Sequence, residues 1–195
     1  DAGFTANPML VIDASRLAWT DGLAHAAAYY PFLVTAYPRF QFTPDSIIRI
    51  TIDGRPSGTL EALAMQVPAQ ASAARNALAA IHVILPPSGA VAGVYAQTDR
   101  NRGVWKAPAN VSLNATLAPA VTVVDAQQAS LNVDAVTGKS INVIRSFTGK
   151  GTLVWGARTL LGNSNEWRYV SVRRFIGLIE RSINESTQWV VFEPN

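Results

Sequence analysis

The run from Pro86 to Asn110, PPSGAVAGVYAQTDRNRGVWKAPAN, constrains the fold more than any other part of the chain. Pro86 and Pro87 have no backbone N–H to give to a ladder, so the apolar strand expected over Ile81 to Leu85 must stop there. Ser88 is placed to cap a following helix through its hydroxyl. That helix is expected to begin near Gly89. Ala90, Ala92, Gly93 and Ala96 are small, and Val91, Val94 and Tyr95 recur at helical spacing, so the helix carries a narrow apolar stripe that other backbones can approach closely. Arg100 and Arg102 stand where cations favour a helix C-terminus, and Gly103 suits a left-handed exit. Trp105 to Pro108 reads as a stiff, half-apolar loop.

Upstream, Met9 to Ile12 reads as a strand, Arg16 to Tyr30 as an Ala-rich helix ended by Pro31, and Phe32 to Thr35 as a second strand. Together they predict a parallel βαβ unit. His25 then lies inside the helix in a structural role. Between Pro38 and Ala80, Ile47 to Ile52 followed by Asp53-Gly54 predicts a strand or hairpin, and Thr59 to Met65 and Ala71 to Ala80 predict helices.

Downstream, strands are expected over Val111 to Leu117 and Val121 to Val124, and a short helix from Asp125 to Asn132. The strands Ile141 to Arg145 and Thr152 to Ala157, joined by a glycine turn, predict a hairpin. The strongest helical pattern is Val170 to Asn184, with Val172, Phe175, Ile176, Ile179 and Ile183 on one face and Arg173, Arg174, Glu180 and Arg181 off it. Trp189 to Phe192 is expected as a last strand. The fold class that results is α/β, a mixed sheet flanked by helices.

Few enzymatic readings survive the residue pattern. The 195 residues contain no cysteine and two histidines, which removes thiol chemistry and leaves no metal-ligand spacing. Gly138-Lys139-Ser140 has Val133 where a phosphate loop needs glycine, and Gly149-Lys150 has Ile144 there and is followed by Gly151. Both dipeptides read as turns. Ser88 lacks the glycines of a nucleophile elbow. Asp99 and Glu180 each adjoin an arginine and read as ion-pair members. Of Trp105, Trp155, Trp167 and Trp189, three lie in or beside expected strands, where aromatics anchor cores, so a base-stacking surface is not expected. A net charge of +3 without a Lys/Arg block does not point to nucleic acid. No apolar run reaches the ~20 residues of a membrane span and the N-terminus lacks signal-peptide regions, so neither membrane insertion nor a signal peptide is expected. At 49% hydrophobic and 15% charged residues the chain is apolar for a free-standing domain, which suits a subunit with neighbours.

The phrases Pro86 to Gly89, Ala92 to Asp99 and Arg102 to Asn110 resemble, in order, PPSG, AGVYAxTD and RGVWKAPAN of the contractile tail sheath proteins of bacteriophages and related contractile injection systems. The resemblance continues through Leu131-Asn132, Ile141 to Arg145, Val154 to Thr159, Arg168 to Arg174 and Trp189 to Asn195. It implies a structural subunit, not an enzyme, that polymerises helically around an inner tube and contracts to drive the tube through a target envelope. Residues 1–37 and 81–195 would then be the shared sheath domain and 38–80 a variable insertion of α+β type. Sheath proteins of this family are longer, so the chain reads as a fragment lacking the terminal arms.

The partners implied are further copies of the chain, the inner tail tube protein, and baseplate and tail terminator proteins, with no cofactor. The place implied is the virion tail, assembled in the host cytoplasm. Arg168, Arg173, Arg174 and Arg181 form the most cationic cluster, which the resemblance makes a candidate contact with an acidic tube surface. Arg100, Arg102, Lys106 and Arg158 are the further candidates for tube or subunit contacts. Two other readings stay open: a nucleotide-binding α/β enzyme, and a surface-binding module carried by residues 38–80.

Overall fold

A computed structural model of the chain describes residues 20–52 and 54–192. The strand expected over Met9 to Ile12 lies outside the described residues. Helix α1 (Thr20–Ala24) is followed by strands β1 (Ala28–Tyr30) and β2 (Leu33–Pro38). The helix expected to run to Tyr30 therefore ends at Ala24. Alanine content favours helix only weakly, and Ala28 to Tyr30 instead pair in parallel with Ile141 to Val143. Of the expected βαβ unit, the first strand lies outside the described residues, and β2 has antiparallel neighbours on both sides.

Residues 38–80 form the hairpin β3 (Arg49–Ile52) and β4 (Arg55–Thr59), then helices α2 (Leu60–Gln66) and α3 (Pro68–Ala79), as their spacing predicts. Thr59 caps α2 by accepting from the Ala62 amide. Leu60 and Ala71 are fully buried between these elements, and Arg75 pairs with Asp45. Strand β5 (His82–Leu85) returns the chain to β2, and helix α4 (Ser88–Arg102) follows. Pro87, not Ser88, occupies the cap position; the Ser88 hydroxyl makes no cap bond because the residue already lies in the helix.

The expected strand from Val111 to Leu117 is split into β6 (Val111–Ser112) and β7 (Thr116–Pro119) by Ala115, whose φ is 52°. Val121 to Val124 forms no strand: the pairing with the neighbouring strand ends at Ala120, whose amide donates to the Phe32 carbonyl at 2.7 Å. Helix α5 (Asp125–Asn132) and the hairpin β8 (Ile141–Phe147) and β9 (Gly151–Val154) form where expected. Helix α6 (Val170–Thr187) runs into a 3-10 turn over Gln188–Phe192 in place of the expected strand. No glycine or proline stands between Asn184 and Phe192 to stop the helical winding.

The described strands make two main sheets, ordered β1-β8-β9-β6 and β5-β2-β7, with β3-β4 apart. This is a mixed sheet system flanked by helices. Helix α4 lies on its inner faces, so that Val91 and Val94 join Leu33, Leu113, Ile144 and Val154 in one cluster. Burial of each such side chain is worth about 1.5–3 kcal/mol. Asn142 ties β8 to its surroundings: its amide donates to the Ala28 and Arg158 carbonyls, and its oxygen accepts from the Arg158 amide at 2.7 Å. Among the described residues every buried side-chain polar atom has a partner.

Trp105, Trp155 and Trp189 depart from a core role, whereas Trp167 is half-buried. Trp105 and Trp189 are 65% exposed and Trp155 is 40% exposed. Trp105 folds its ring back over Gly103, leaving no room for a side chain there. Trp155 rests against Phe147 with ring centroids 4.5 Å apart.

Candidate functional site

A groove of about 480 Å³ with an apolar lining lies between the segment Ala24 to Tyr29, helix α4 and helix α6. Each wall follows from local sequence. Ala92 and Gly177 keep two helices slim, while Val91, Val170, Tyr29 and Tyr95 supply apolar surface. At its floor the Tyr29 and Tyr95 hydroxyls share a hydrogen bond of 2.6 Å, with their rings edge to face. Arg174 reaches across from α6, lies 4.9 Å above the Tyr95 ring, and grips Asp99 through two bonds of 2.8 and 2.5 Å. The pair is about 70% shielded on both sides, so α6 is pinned to α4 by a bidentate contact of the stronger kind.

Burial is the main reason that both tyrosine hydroxyls are pushed above their ordinary value of 10.0. At Tyr29 the neighbouring Tyr95 adds to the rise, and Arg174 opposes it at both. The hydrogen bonds to Asp99 hold the Arg174 guanidinium all the more firmly charged. A tyrosine whose folded value is raised stays protonated when the unfolded chain has begun to ionise, so its stability contribution is complete below pH 10 and is lost as pH rises beyond it. Each such tyrosine steepens the loss by about 1.4 kcal/mol per pH unit. Urea unfolding at pH 9, 10 and 11 is expected to give a falling stability that Tyr29→Phe with Tyr95→Phe flattens. Equal slopes in parent and double variant would contradict this role.

The other candidate cations fall into two groups. Arg173 donates to His25 Nε2 at 2.8 Å, lies 4.7 Å from the Trp167 ring and is 3.6 Å from Glu180. Arg168 bonds the Ser164 carbonyl and Asn165, Arg181 pairs with Glu185 at 2.7 Å, and Arg158 lies over Tyr169. Arg100, Arg102 and Lys106 are exposed at and beyond the end of α4, with no carboxylate partner among the described residues. The ion pairs read from sequence exist, but with other partners: Asp99 takes Arg174 rather than Arg100, and Glu180 faces Arg173.

The groove assembles no nucleophile with a base. Ser88 lines it, but the nearby His25 faces Arg173. In the Gly138-Lys139 turn, Asp134 accepts from the Val136 and Thr137 amides, so those donors are turned inward and do not cradle a phosphate. Among the described residues no group of His, Asp and Glu could hold a metal ion. A second cleft, between α5 and the β8-β9 hairpin, is closed by Arg145, which bonds Asp125 and Gln128 at 2.6 Å each.

Helix α6 carries the apolar face that its periodicity predicts, and that face points away from the groove. Val170, Arg174 and Gly177 are turned to the body, whereas Phe175, Ile179 and Ile183 on the opposite side are 37%, 38% and 57% exposed.

Comparison with known proteins places the chain beside structural ones. No family model matches the chain. The tail sheath protein of Vibrio phage KVP40 is 27% identical over 111 residues, which cover 57% of this chain and 16% of that protein. The tail sheath protein of Enterobacteria phage T4 is 24% identical over a stretch of the same length. Among solved structures, the sheath complex of the PVC extracellular contractile injection system in its contracted state aligns at 49% identity with a TM-score of 0.53. The chain is similar to contractile tail sheath proteins over more than half of its length. A second solved sheath, the helical sheath of the anti-feeding prophage in its contracted state, gives 49% identity and a TM-score of 0.52 over 58% of this chain and 30% of that one. The matched stretch thus spans 16% of the curated sheath proteins and about a third of the solved ones.

Proposed function

We propose that the chain is part of a contractile sheath subunit, many copies of which stack helically around an inner tube and slide into a shorter, wider packing that drives the tube through an envelope. The observation that carries this reading is the 49% identity, over 58% of the chain, to the PVC sheath in its contracted state. In this reading residues 1–37 and 81–195 are the wall domain and 38–80 a decoration of it. Its partners are copies of itself, a tube protein, and baseplate and terminator proteins, in a tail assembled in the host cytoplasm.

Arg168, Arg173, Arg174 and Arg181 are engaged within the chain, which favours the exposed Arg100, Arg102 and Lys106 as the contacts with a tube or neighbouring subunit. Exposed ion pairs are worth about 0–1 kcal/mol each, so a contact repeated over many copies holds firmly yet rearranges. The test is to co-express the full-length protein with its tube protein and image the product by negative stain. Helical sleeves are expected, and Arg100→Glu with Arg102→Glu should reduce their number; absence of sleeves in the parent would contradict the reading.

The role proposed is structural, without catalysis. Thermal-shift measurements with ATP and GTP are expected to leave the unfolding midpoint unchanged, because ligand that binds only the folded state raises it. A clear rise with either nucleotide would favour an enzyme instead.

A further inference from the structure

The two histidines of the chain, His25 and His82, are held by partners of opposite kind. Nδ1 of His82 lies 2.9 Å from the Ala80 carbonyl, which can only accept, so that nitrogen carries a proton. A second proton taken up at Nε2 leaves this bond intact. His25 is met by Arg173, whose Nε and Nη2 point at the imidazole Nε2 from 3.2 and 2.8 Å. A guanidinium has only donors and keeps its charge, so Nε2 of His25 is the acceptor and the ring is neutral with its proton on Nδ1. A proton added at Nε2 sets one N–H against two others and one positive charge against another. Imidazole is the side chain that ordinarily changes charge between pH 8 and 5.

The surroundings decide which partner gives way. Arg173 has two further holds, the Trp167 ring 4.7 Å away and Glu180 at 3.6 Å, whereas His25 is exposed just past the end of α1. The other described titratable or charged groups around the groove are Tyr29 on the segment of His25 itself, Tyr95 and Asp99 on α4, and Arg174 on α6. Asp99 is taken up by Arg174, and the two tyrosines by each other, so none of these groups offers an imidazolium a counter-charge in place of Arg173. We infer that His25 and Arg173 form a pH-sensitive latch. With a neutral imidazole the segment Ala24 to Tyr29 is tied to α6 across the groove; protonation of His25 frees the segment, while Arg173 stays with Trp167 and Glu180. The Arg174–Asp99 pair is not touched by this proton and keeps α6 on α4, so the groove opens on one side only. The latch does not depend on which partners the chain has in a tail.

The test is amide hydrogen exchange followed by NMR on the 195-residue chain at pH 7.5 and 5.5, read as protection factors so that the pH dependence of free-amide exchange is removed. The reporters are the amide of Leu160, which donates to the Ala26 carbonyl at 2.7 Å, and those of His25 and Ala26, which donate to the Gly22 and Leu23 carbonyls. Their protection is expected to fall about threefold on acidification, as for the loss of one exposed hydrogen bond. The amides of Leu113 and Trp155, bonded to Thr152 and Val143, should keep theirs. In His25→Gln, whose side-chain oxygen accepts at either pH, the fall should vanish. Arg173→Ala should show low protection at both pH values, and His82→Gln should behave as the parent. The ring of the parent gives a readout that needs no substitution: its nitrogen chemical shifts should show the Nδ1–H tautomer of His25 at pH 7.5. Unchanged protection in the parent, an equal fall in His25→Gln, a fall abolished by His82→Gln, or an Nε2–H tautomer of His25 would each overturn the latch.

Discussion

Shortening Ile144 to alanine is expected to cost about 2–5 kcal/mol and to lower the thermal midpoint by about 10 °C. Ile144 is fully buried on β8, among Val91 and Val94 of α4, Leu33 of β2 and Val154 of β9. The substitution therefore removes contacts to a helix and two sheets at once and leaves a cavity that these elements cannot all close. Val136→Ala is the control: Val136 is 93% exposed, and its loss should fall within about 0.5 kcal/mol. Calorimetry on the two variants decides the matter. Similar midpoints would mean that the cluster around Ile144 is not what holds the sheets and α4 together.

The second large effect is expected at the clamp between α4 and α6. Arg174→Leu or Asp99→Leu alone should cost about 1–3 kcal/mol, since each leaves a partly desolvated charge without its partner. The double replacement should cost less than the sum of the two, the shortfall being the coupling within the pair. The effect is also local. Val170 and the arginine clamp are what fix α6 over the groove, so hydrogen exchange should rise across residues 170–187 in either single variant and stay unchanged in β8 and β9. Uniformly faster exchange would assign the pair to global stability and not to the placing of α6.

How far the sequence foretells this arrangement depends on the range of the interaction. Elements governed by neighbours in the chain were legible: the β8-β9 hairpin from its glycine turn, α5 between its flanking residues, the hairpin and two helices of residues 38–80, and α6 from its period. Elements governed by distant pairing were not. Ala28 to Tyr30 reads as helix until Ile141 to Val143 offers a strand edge. Trp189 to Phe192 has strand-forming residues but follows a helix that nothing interrupts.

The site divides in the same way. The arginines of α6 stand out in the sequence as a basic group, and the structure pairs Arg173 and Arg174 within the chain. Their partners lie far off in sequence: Asp99 is 75 residues from Arg174, and His25 is 148 from Arg173. The Tyr29-Tyr95 bond is not legible in the sequence: periodicity places Tyr95 on the apolar stripe of its helix, but nothing near Tyr29 names it as the partner, 66 residues away. Periodicity fixed the composition of the α6 stripe and not its direction; the outward orientation comes from Arg174 and Gly177 facing the body.

The central claim is that this domain is a repeated part of a sheath wall. Cryo-electron microscopy of tails assembled from the full-length protein, before and after contraction, tests it most directly. The two packed sheets with α4 and α6 are expected to recur as one rigid unit in every subunit of the sleeve in both states, with a different spacing between units. Finding the domain only as isolated decoration, or absent from the sleeve, would contradict it.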